Sequence, residues 1–175
     1  SSLTFENEFL TELLESIRTI GKSQEGNGIE GCHRYVISNC KSALDVIRVY
    51  QLANLILGKN EALSLDIVPL FESIEDLSNA ADVMASLYNV PAYREHLKRR
   101  GSKQTIMLGF SDGTKDGGYL RANWSIFQAK ENLTRITRDQ GFVAVFFDGR
   151  GGPPARGGGN THDFYASLGD TIEDK

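Results

Sequence analysis

The feature of this sequence that most constrains its fold is a regular alternation of short apolar segments with helical patterns. Four segments are rich in β-branched and aromatic residues and end at polar residues, which is typical of strands. Helical apolar spacing fills the intervals, and about 33 to 40 residues separate one strand end from the next. Because such βαβ units form parallel sheets, the sequence predicts an α/β fold. The predicted strands are Arg34–Ser38, Leu65–Phe71, Thr105–Phe110 and Phe142–Phe147.

Two architectures fit units of this length: a doubly wound sheet and part of a TIM-type (β/α)8 barrel. A complete barrel needs about 250 residues, whereas this chain has 175, so its four units would form half of one. Before the first strand, Phe5–Ile20 has helical apolar spacing, and Gly21–Gly31 is predicted to be a loop because Gly21 would end the helix. We therefore divide the chain into an N-terminal helix and loop, residues 1–30, and a partial (β/α) barrel, residues 31–175.

The composition excludes several classes of protein. Nineteen basic and 23 acidic residues give a net charge of −4, which offers no excess positive charge to a nucleic acid. The apolar runs are too short to span a membrane, and the first residues lack the pattern of a secretory signal. Two cysteines, Cys32 and Cys40, are too few for a disulfide framework or a zinc site. We expect a cytoplasmic protein with two reduced thiols.

Charged residues stand where three of the predicted strands end. Glu72 follows the second strand, Asp112 follows the third, and Asp148 and Arg150 follow the fourth. In both candidate architectures, ligands bind at the carboxyl ends of the parallel strands. Glu72 and Asp112 offer hard oxygen ligands of the kind that hold Mg²⁺. Each of these charges, taken singly, also fits a helix N-cap or a solvated loop residue.

A glycine-rich segment follows the fourth strand and is a more specific signal. Six of the 18 glycines lie between Gly149 and Gly159, and Arg150 and Arg156 stand among them. Guanidinium groups bind phosphates and carboxylates through two parallel hydrogen bonds, and glycines let backbone N–H groups approach such an anion. The segment matches neither a Walker-type phosphate loop nor a dinucleotide-binding turn. A flexible linker is the alternative interpretation.

Five other residues are weaker candidates. Lys115 would reach the same anion from the start of the long helix, although an ordinary surface lysine fits that position equally well. Among the histidines, which share no metal-ligand spacing, His33 carries no signal and His96 lies in a polar segment, where it is predicted to be exposed. His162 follows the glycine-rich segment and is a candidate for a supporting contact. Trp124 is predicted to lie in the core or at an interface rather than in a site.

Three motifs occur along the chain at successive predicted strand ends. They are Val68-Pro-Leu-Phe-Glu72, Gly109-Phe-Ser-Asp-Gly-Thr-Lys-Asp116, and Phe147-Asp-Gly-Arg-Gly-Gly152 with Arg156-Gly-Gly158. Together they resemble phosphoenolpyruvate carboxylase, and the likeness runs from about Tyr35 to His162. Since enzymes of that family are several times longer, the resemblance implies a central-to-C-terminal piece that supplies about half of the family's barrel and half of its active site.

The resemblance implies carboxylation of phosphoenolpyruvate by bicarbonate with Mg²⁺ (or Mn²⁺) as cofactor, giving oxaloacetate and phosphate. By motif, Glu72 and Asp112 are similar to the two metal-binding carboxylates. The matches to catalytic positions are Lys115, Arg150 and Arg156; those to substrate-binding positions are Arg150, Arg156, Gly151 and Gly152; Asp148 and His162 are candidates for a supporting role.

The chain departs from the family's pattern at one position and lacks others. The family often has histidine where this chain has Asp148. Because an ionised carboxylate cannot donate a hydrogen bond, we expect Asp148 to orient Arg150 instead. The family's catalytic histidine and its further arginines have no counterpart here, so these 175 residues alone are expected to be inactive. The full-length enzyme is expected to be a homo-oligomer.

Two other interpretations remain open. A non-catalytic, anion-binding (β/α) module would retain the glycine-rich segment without the chemistry. Another Mg²⁺-dependent enzyme that acts on phosphoenolpyruvate would share the substrate but not the reaction. In each case the expected partners are small anions rather than a nucleic acid or a membrane.

Overall fold

A computed structural model describes residues 8–58, 63–109 and 111–149, without the side chains of residues 8–10, 111–117 and 119. Although α1 and α5 have 20 and 29 residues, no helix in these ranges is apolar enough over such a length to cross a membrane. The elements are α1 (Glu8–Asn27), β1 (Arg34–Ile37), α2 (Ala43–Leu57), β2 (Asp66–Phe71), α3 (Ile74–Tyr88), α4 (Pro91–Arg99), β3 (Lys103–Gly109), α5 (Ser111–Asp139) and β4 (Val143–Gly149).

The four strands form one parallel sheet in the order β1-β2-β3-β4, so the predicted α/β fold is confirmed. Each strand pairs with its neighbour in sequence, for example Leu70 with Met107 and Met107 with Phe147. Right-handed crossovers that advance in one direction leave their helices on one face, and α3 packs there against both α2 and α5. Over the described residues the sheet does not close, and its order shows no reversal of the kind found in doubly wound sheets.

The hydrophobic core lies between the sheet and this layer of helices. Phe71 and Leu108, from the two middle strands, are almost completely buried in it. Burial of a side chain of this size contributes roughly 1.5–3 kcal/mol. The opposite wall of the core comes from the helices and includes Val46, Ala53, Met84, Leu87 and Leu133.

The second face of the sheet, which points away from the helices, is also apolar. Residues alternate between the two faces along a strand, and Val36 and Phe147 on this face are 45% and 56% exposed. Leu70 and Met107 lie in the same row of the sheet as Phe147. We use the name second face for Val36, Leu70, Met107 and Phe147. An exposed apolar surface of this kind normally packs against another part of the protein or against another protein molecule.

The start of α3 places Glu72 at the end of β2. Asp76 donates its backbone N–H to Ser73 Oγ at 3.0 Å, and Ser73 donates its own N–H to Asp76 Oδ2 at 3.2 Å. These reciprocal bonds form a capping box, and they satisfy two backbone groups that would otherwise lack partners. Because the cap follows the strand directly, Glu72 is fixed between a buried strand and the first turn of a helix.

The predicted end of the first helix at Gly21 is wrong, because α1 continues to Asn27. Gly21 has no side chain to separate α1 from α2, and a Cβ added there would lie 2.7 Å from Leu57 Cδ2. Beyond it, Gln24 Nε2 donates to the Cys32 carbonyl at 2.7 Å, and Gln24 Oε1 accepts from Ser64 Oγ at 2.7 Å. Packing and hydrogen bonds to distant residues thus stabilise helix where the local sequence favours a loop.

Candidate functional site

The carboxyl ends of three strands meet at one edge of the sheet, and this edge is the candidate site. The register places Phe71 beside Leu108 and Leu108 beside Asp148. One residue further on, Gly109 pairs with Gly149, and Glu72 follows Phe71 at the same level. The structure therefore brings Glu72 level with the end of β4, where the glycine-rich segment begins.

Glu72 lies against the backbone of Gly109. A Cβ added to Gly109 would be 2.9 Å from Glu72 Cγ and 3.2 Å from Glu72 Cα, closer than side chains pack. The glycine at the end of β3 therefore makes room for the Glu72 side chain, which is half-buried. Within the described residues, no hydrogen bond or ion pair engages the Glu72 carboxylate. It remains available to bind a cation.

Asp112 and Lys115 lie close to the same edge along the backbone. Strand β3 ends at Gly109, and α5 begins at Ser111, so both residues belong to the start of this helix rather than to a loop before it. Gly118, with φ 77° and ψ 163°, interrupts the helical conformation after them. The side chains of Asp112 and Lys115 are outside the structural description. Their predicted roles stay predictions.

The remaining predicted site residues lie outside the described residues. These are the two arginines and two glycines of the glycine-rich segment and the histidine that follows it: Arg150, Gly151, Gly152, Arg156 and His162. The described chain ends at Gly149, the residue before Arg150. Their predicted part in binding an anion is neither supported nor contradicted by the described geometry.

Asp148 forms a buried ion pair with Lys130 of α5. Lys130 Nζ donates a hydrogen bond to Asp148 Oδ2 at 3.0 Å and lies 2.9 Å from Oδ1. The side chains are only 3% and 5% exposed. The ammonium group also lies 5.7 Å from the centroid of the Phe146 ring, on the same face of β4. Asp148 thus points toward the helix layer, whereas Phe147 points to the second face.

Sequence reasoning did not identify Lys130, although a signal was present. The buried stripe of α5 includes Ile126, Ala129 and Leu133, and Lys130 falls within that stripe at helical spacing. A charged residue in an apolar stripe is rarely buried without a partner of opposite charge. The partner is 18 positions away on β4, so the sequence shows the anomaly without showing which residue resolves it.

The described histidines lie at the opposite edge of the sheet. The predicted exposure of His96 is wrong, because it is 3% exposed and its ring packs on Tyr50 and Tyr93 with centroids 5.0 and 5.8 Å away. His33 Nε2 lies 3.9 Å from an oxygen of Asp66, the first residue of β2. Neither histidine lies at the edge that carries Glu72.

Trp124 is 59% exposed on α5, so the first of its two predicted locations, the core, is wrong. Its ring stacks on Phe127 with centroids 5.8 Å apart. The two rings cover each other because they stand three positions apart on one helical face. The alternative prediction, that Trp124 lies at an interface, stays open.

The donor set at this edge fits a magnesium ion. Among the described residues, no three His, Cys, Asp or Glu side chains cluster as a ready-made metal site. Mg²⁺, however, is usually held by one or two carboxylates together with waters and substrate phosphates. Glu72 supplies one half-buried carboxylate without a protein partner in the described chain, and the space beside Gly109 accommodates it. The backbone brings Asp112 to the same edge.

Comparison with known proteins decides the family. A family model described as phosphoenolpyruvate carboxylase matches residues 2–170. The chain belongs to that family. Relatives named phosphoenolpyruvate carboxylase include those of Gloeobacter violaceus, 39% identical over 86% of this chain, and Nocardia farcinica, 41% identical over 78%. That of Corynebacterium diphtheriae is 48% identical over 57%. The matched region is 16%, 16% and 11% of these relatives, respectively, so this chain spans about one sixth of their length or less.

The family assignment confirms the resemblance that the three motifs indicated. In this chain the first motif, Val68–Glu72, includes the last four residues of β2. The second begins at Gly109, the last residue of β3, and the third begins at Phe147 near the end of β4. All three motifs therefore reach the same edge of the parallel sheet.

Proposed function

We propose that this chain supplies part of the active site of a phosphoenolpyruvate carboxylase that uses Mg²⁺ or Mn²⁺ and converts phosphoenolpyruvate and bicarbonate to oxaloacetate and phosphate. The observation that supports this most is the meeting of the three motifs at one sheet edge, where Glu72 presents an unengaged carboxylate beside Gly109. The substrates are all anions, so an edge that combines a metal ion with arginines suits them.

In the proposed site, Glu72 and Asp112 hold the metal ion. When bound, the ion offsets the negative charge of the phosphate and of the enolate that forms during the reaction. Glu72 is held in place by the cap of α3 on one side and by Gly109 on the other. Because the backbone of Glu72 is held on both sides, only its side chain has to be ordered when a cation binds, which favours binding.

In the proposed reaction, the phosphoryl group leaves the enol oxygen of phosphoenolpyruvate for an oxygen of bicarbonate, giving carboxyphosphate and the enolate. The enolate carbon then forms a bond to the carboxyl carbon as phosphate departs. Arg150, Arg156 and Lys115 stabilise the negative charge that develops, and backbone N–H groups at Gly151 and Gly152 approach the phosphate. Apolar surroundings keep water from the intermediates.

We further propose that the four strands are half of a TIM-type barrel. Their order advances in one direction without reversal, and the helices lie on one face, as in a barrel. The second face would then be the barrel interior, which side chains fill when the remaining strands are present. In this arrangement residues 31–175 are the partial barrel and residues 1–30 precede it. Strands from elsewhere in the longer protein cover Val36 and Phe147.

Three further properties follow from the proposed function. The 175 residues by themselves lack carboxylase activity, because the catalytic histidine and further arginines that the family resemblance implies have no match in them. The complete enzyme is a cytoplasmic homo-oligomer. A non-catalytic anion-binding module is not favoured, because the match to the family extends over residues 2–170 rather than over the glycine-rich segment alone.

The test is an assay of bicarbonate-dependent oxaloacetate formation by the full-length protein that contains this segment. Loss of a supporting partner of a metal ligand commonly costs 10–100-fold, so Glu72→Gln should reduce metal-dependent kcat/KM by roughly 100-fold or more. Glu75→Gln is the matched control, since Glu75 is an exposed acidic residue in the first turn of α3. A wild-type protein that forms no oxaloacetate, or equal activity in both variants, would refute the proposal.

A further inference from the structure

Three apolar side chains form a stripe along α5 that the proposed function does not use. Leu120, Trp124 and Phe127 stand at positions i, i+4 and i+7 of this helix, so they share one of its faces. We call these three residues the outer stripe. Leu120 is 82% exposed, Trp124 is 59% exposed, and the Trp124 ring stacks on Phe127. Single exposed apolar residues are ordinary, whereas a contiguous stripe with two stacked aromatic rings marks an interaction surface.

The outer stripe points away from the sheet. Trp124 stands two positions after Ala122 and two positions before Ile126, both of which are buried. Positions two apart on an α-helix lie about 200° apart around its axis, so Trp124 is on the side of α5 opposite to the buried stripe. Strands that cover the second face of the sheet would therefore leave the outer stripe exposed. Its partner must come from outside the sheet and its helix layer.

The exposed leucines of α2 provide a comparison within the same helix layer. Leu44 and Leu55 are 52% and 70% exposed, and the exposed polar residues Arg48 and Gln51 lie between them on the same helical face. Isolated apolar side chains among polar ones are usual where a helix faces solvent. The outer stripe of α5 thus differs from the outward surface of α2.

The size of the outer stripe favours a helix of the same polypeptide over a second subunit. An aromatic side chain buries about 150–250 Å² when fully covered, and both rings here are already partly covered. Even with Leu120, the stripe falls below the roughly 800 Å² per partner of a stable interface between proteins. Spacing of i, i+4 and i+7 suits instead the packing of one helix on another.

The length of the family's proteins shows that such a helix has a source. The relatives are about six times as long as the region that matches this chain, while a complete barrel takes only about 250 residues. Most of such a protein therefore lies outside a barrel, and the outward side of the helix layer is a surface on which it can pack.

We propose that in the full-length protein an apolar helix from another part of the same polypeptide covers the outer stripe of α5. This helix packs on the stacked rings of Trp124 and Phe127, on the side of α5 that faces away from the sheet. The inference goes beyond the proposed function, since it rests on the exposed stripe and on the length of the relatives. A full-length protein without carboxylase activity would refute the proposed function and leave this inference standing.

Photocrosslinking in the full-length protein identifies the partner directly. Leu120 is replaced by the photoreactive residue p-benzoylphenylalanine (Leu120→Bpa). Leu55→Bpa is the matched control, because Leu55 is comparably exposed but has polar neighbours on its face of α2. After irradiation, denaturing electrophoresis separates crosslinks within one polypeptide from crosslinks between two, and mass spectrometry of the digested bands identifies the peptides that are joined.

We expect Leu120→Bpa to form an internal crosslink to a peptide outside these 175 residues. Its yield should be at least about fivefold that of any crosslink from Leu55→Bpa. A product with the mass of two chains in place of the internal one would place a second copy on the stripe and overturn the inference. Crosslinks only to peptides within residues 1–175, no crosslink at all, or equal yields from the two variants would also overturn it.

If Leu120→Bpa does not fold, hydroxyl-radical oxidation of the wild-type protein decides. Trp124 is the single tryptophan of these 175 residues, so its oxidised peptide is readily assigned. A covered ring should be oxidised at least about threefold more slowly in the native protein than in the protein unfolded by guanidinium. A smaller difference is the result expected of a ring that stays 59% exposed, and it would overturn the inference.

Discussion

His96 shows how burial controls the charge of a single side chain. Its imidazole packs between Tyr50 and Tyr93 at the edge of the sheet opposite the proposed site. Burial lowers its pKa to about 4, with a contribution from Arg100 in the same direction and an opposing one from Asp66. The ring is therefore neutral at physiological pH, even though the sequence around it is polar.

Acidification should weaken the packing of α4. A histidine in unfolded chain has a pKa near 6.5, whereas the pKa of His96 in the folded protein is about 4. Between pH 4 and pH 6.5 the unfolded state therefore binds more protons than the folded state. Stability is therefore fully present above about pH 6.5 and falls as the pH decreases toward 4, by at most roughly 3 kcal/mol. Hydrogen exchange of the α4 amides in the full-length protein measures this opening. His96→Phe should remove the dependence, and the same slope in that variant would contradict the assignment.

Gly109 is the residue whose replacement should affect the proposed site most directly without changing a charge. In Gly109→Ala, the new Cβ would lie 2.9–3.2 Å from three carbons of Glu72, which displaces the carboxylate or the strand. Overpacking of this kind costs about 1–3 kcal/mol, and metal-dependent activity should fall with it. The measurement is the Mg²⁺ concentration that gives half-maximal activity.

Gly26→Ala is the control for that variant, because Gly26 lies in α1 and has nothing within 4 Å of the added Cβ. The gain in helix propensity should make this second variant equally stable or slightly more stable. An identical Mg²⁺ dependence in Gly109→Ala, Gly26→Ala and wild type would show that Glu72 does not depend on the space beside Gly109.

At the scale of elements, the strands were predictable and one helix boundary was not. The four strand segments combine apolar runs with polar ends, so their locations follow from local sequence, and Ser73 with Asp76 marks the start of α3. The end of α1 depends on Leu57, Cys32 and Ser64. Those residues are distant along the chain, and the sequence around Gly21 does not indicate that α1 contacts them.

In the candidate site, too, some features were predictable from the sequence and others were not. The parallel sheet itself brings Glu72 to the end of β4, which the sequence allowed us to anticipate from the spacing of the strand ends. The Lys130–Asp148 pair was not anticipated, because it joins a helix stripe to a strand end through a contact between distant residues. Residues whose roles depend on tertiary partners of opposite charge are therefore the ones that sequence reasoning missed.

At the scale of the whole molecule, the proposed half-barrel should not be stable by itself as a monomer. In the described chain β1 and β4 are the outer strands, and each pairs with a single neighbouring strand. The unpaired side of an outer strand pairs readily with other chains. The second face also exposes Val36 and Phe147. The 175-residue chain expressed alone should therefore associate with itself and form no oxaloacetate.

Light scattering and an oxaloacetate assay on that purified chain, with the full-length enzyme as the positive control, provide the measurement. Association without turnover agrees with the half-barrel. A stable monomer that turns over bicarbonate would contradict both the open sheet and the incomplete site.

The central claim is that Glu72 holds the metal ion at the carboxyl edge of the sheet, and direct metal binding tests it most simply. Mn²⁺ can be titrated into full-length wild type, Glu72→Gln and Glu75→Gln, with free ion followed by electron paramagnetic resonance. Removing an anionic ligand weakens a hard-cation site, so Kd should rise at least about tenfold in Glu72→Gln and stay at the wild-type value in Glu75→Gln. A wild-type Kd in Glu72→Gln would contradict the claim.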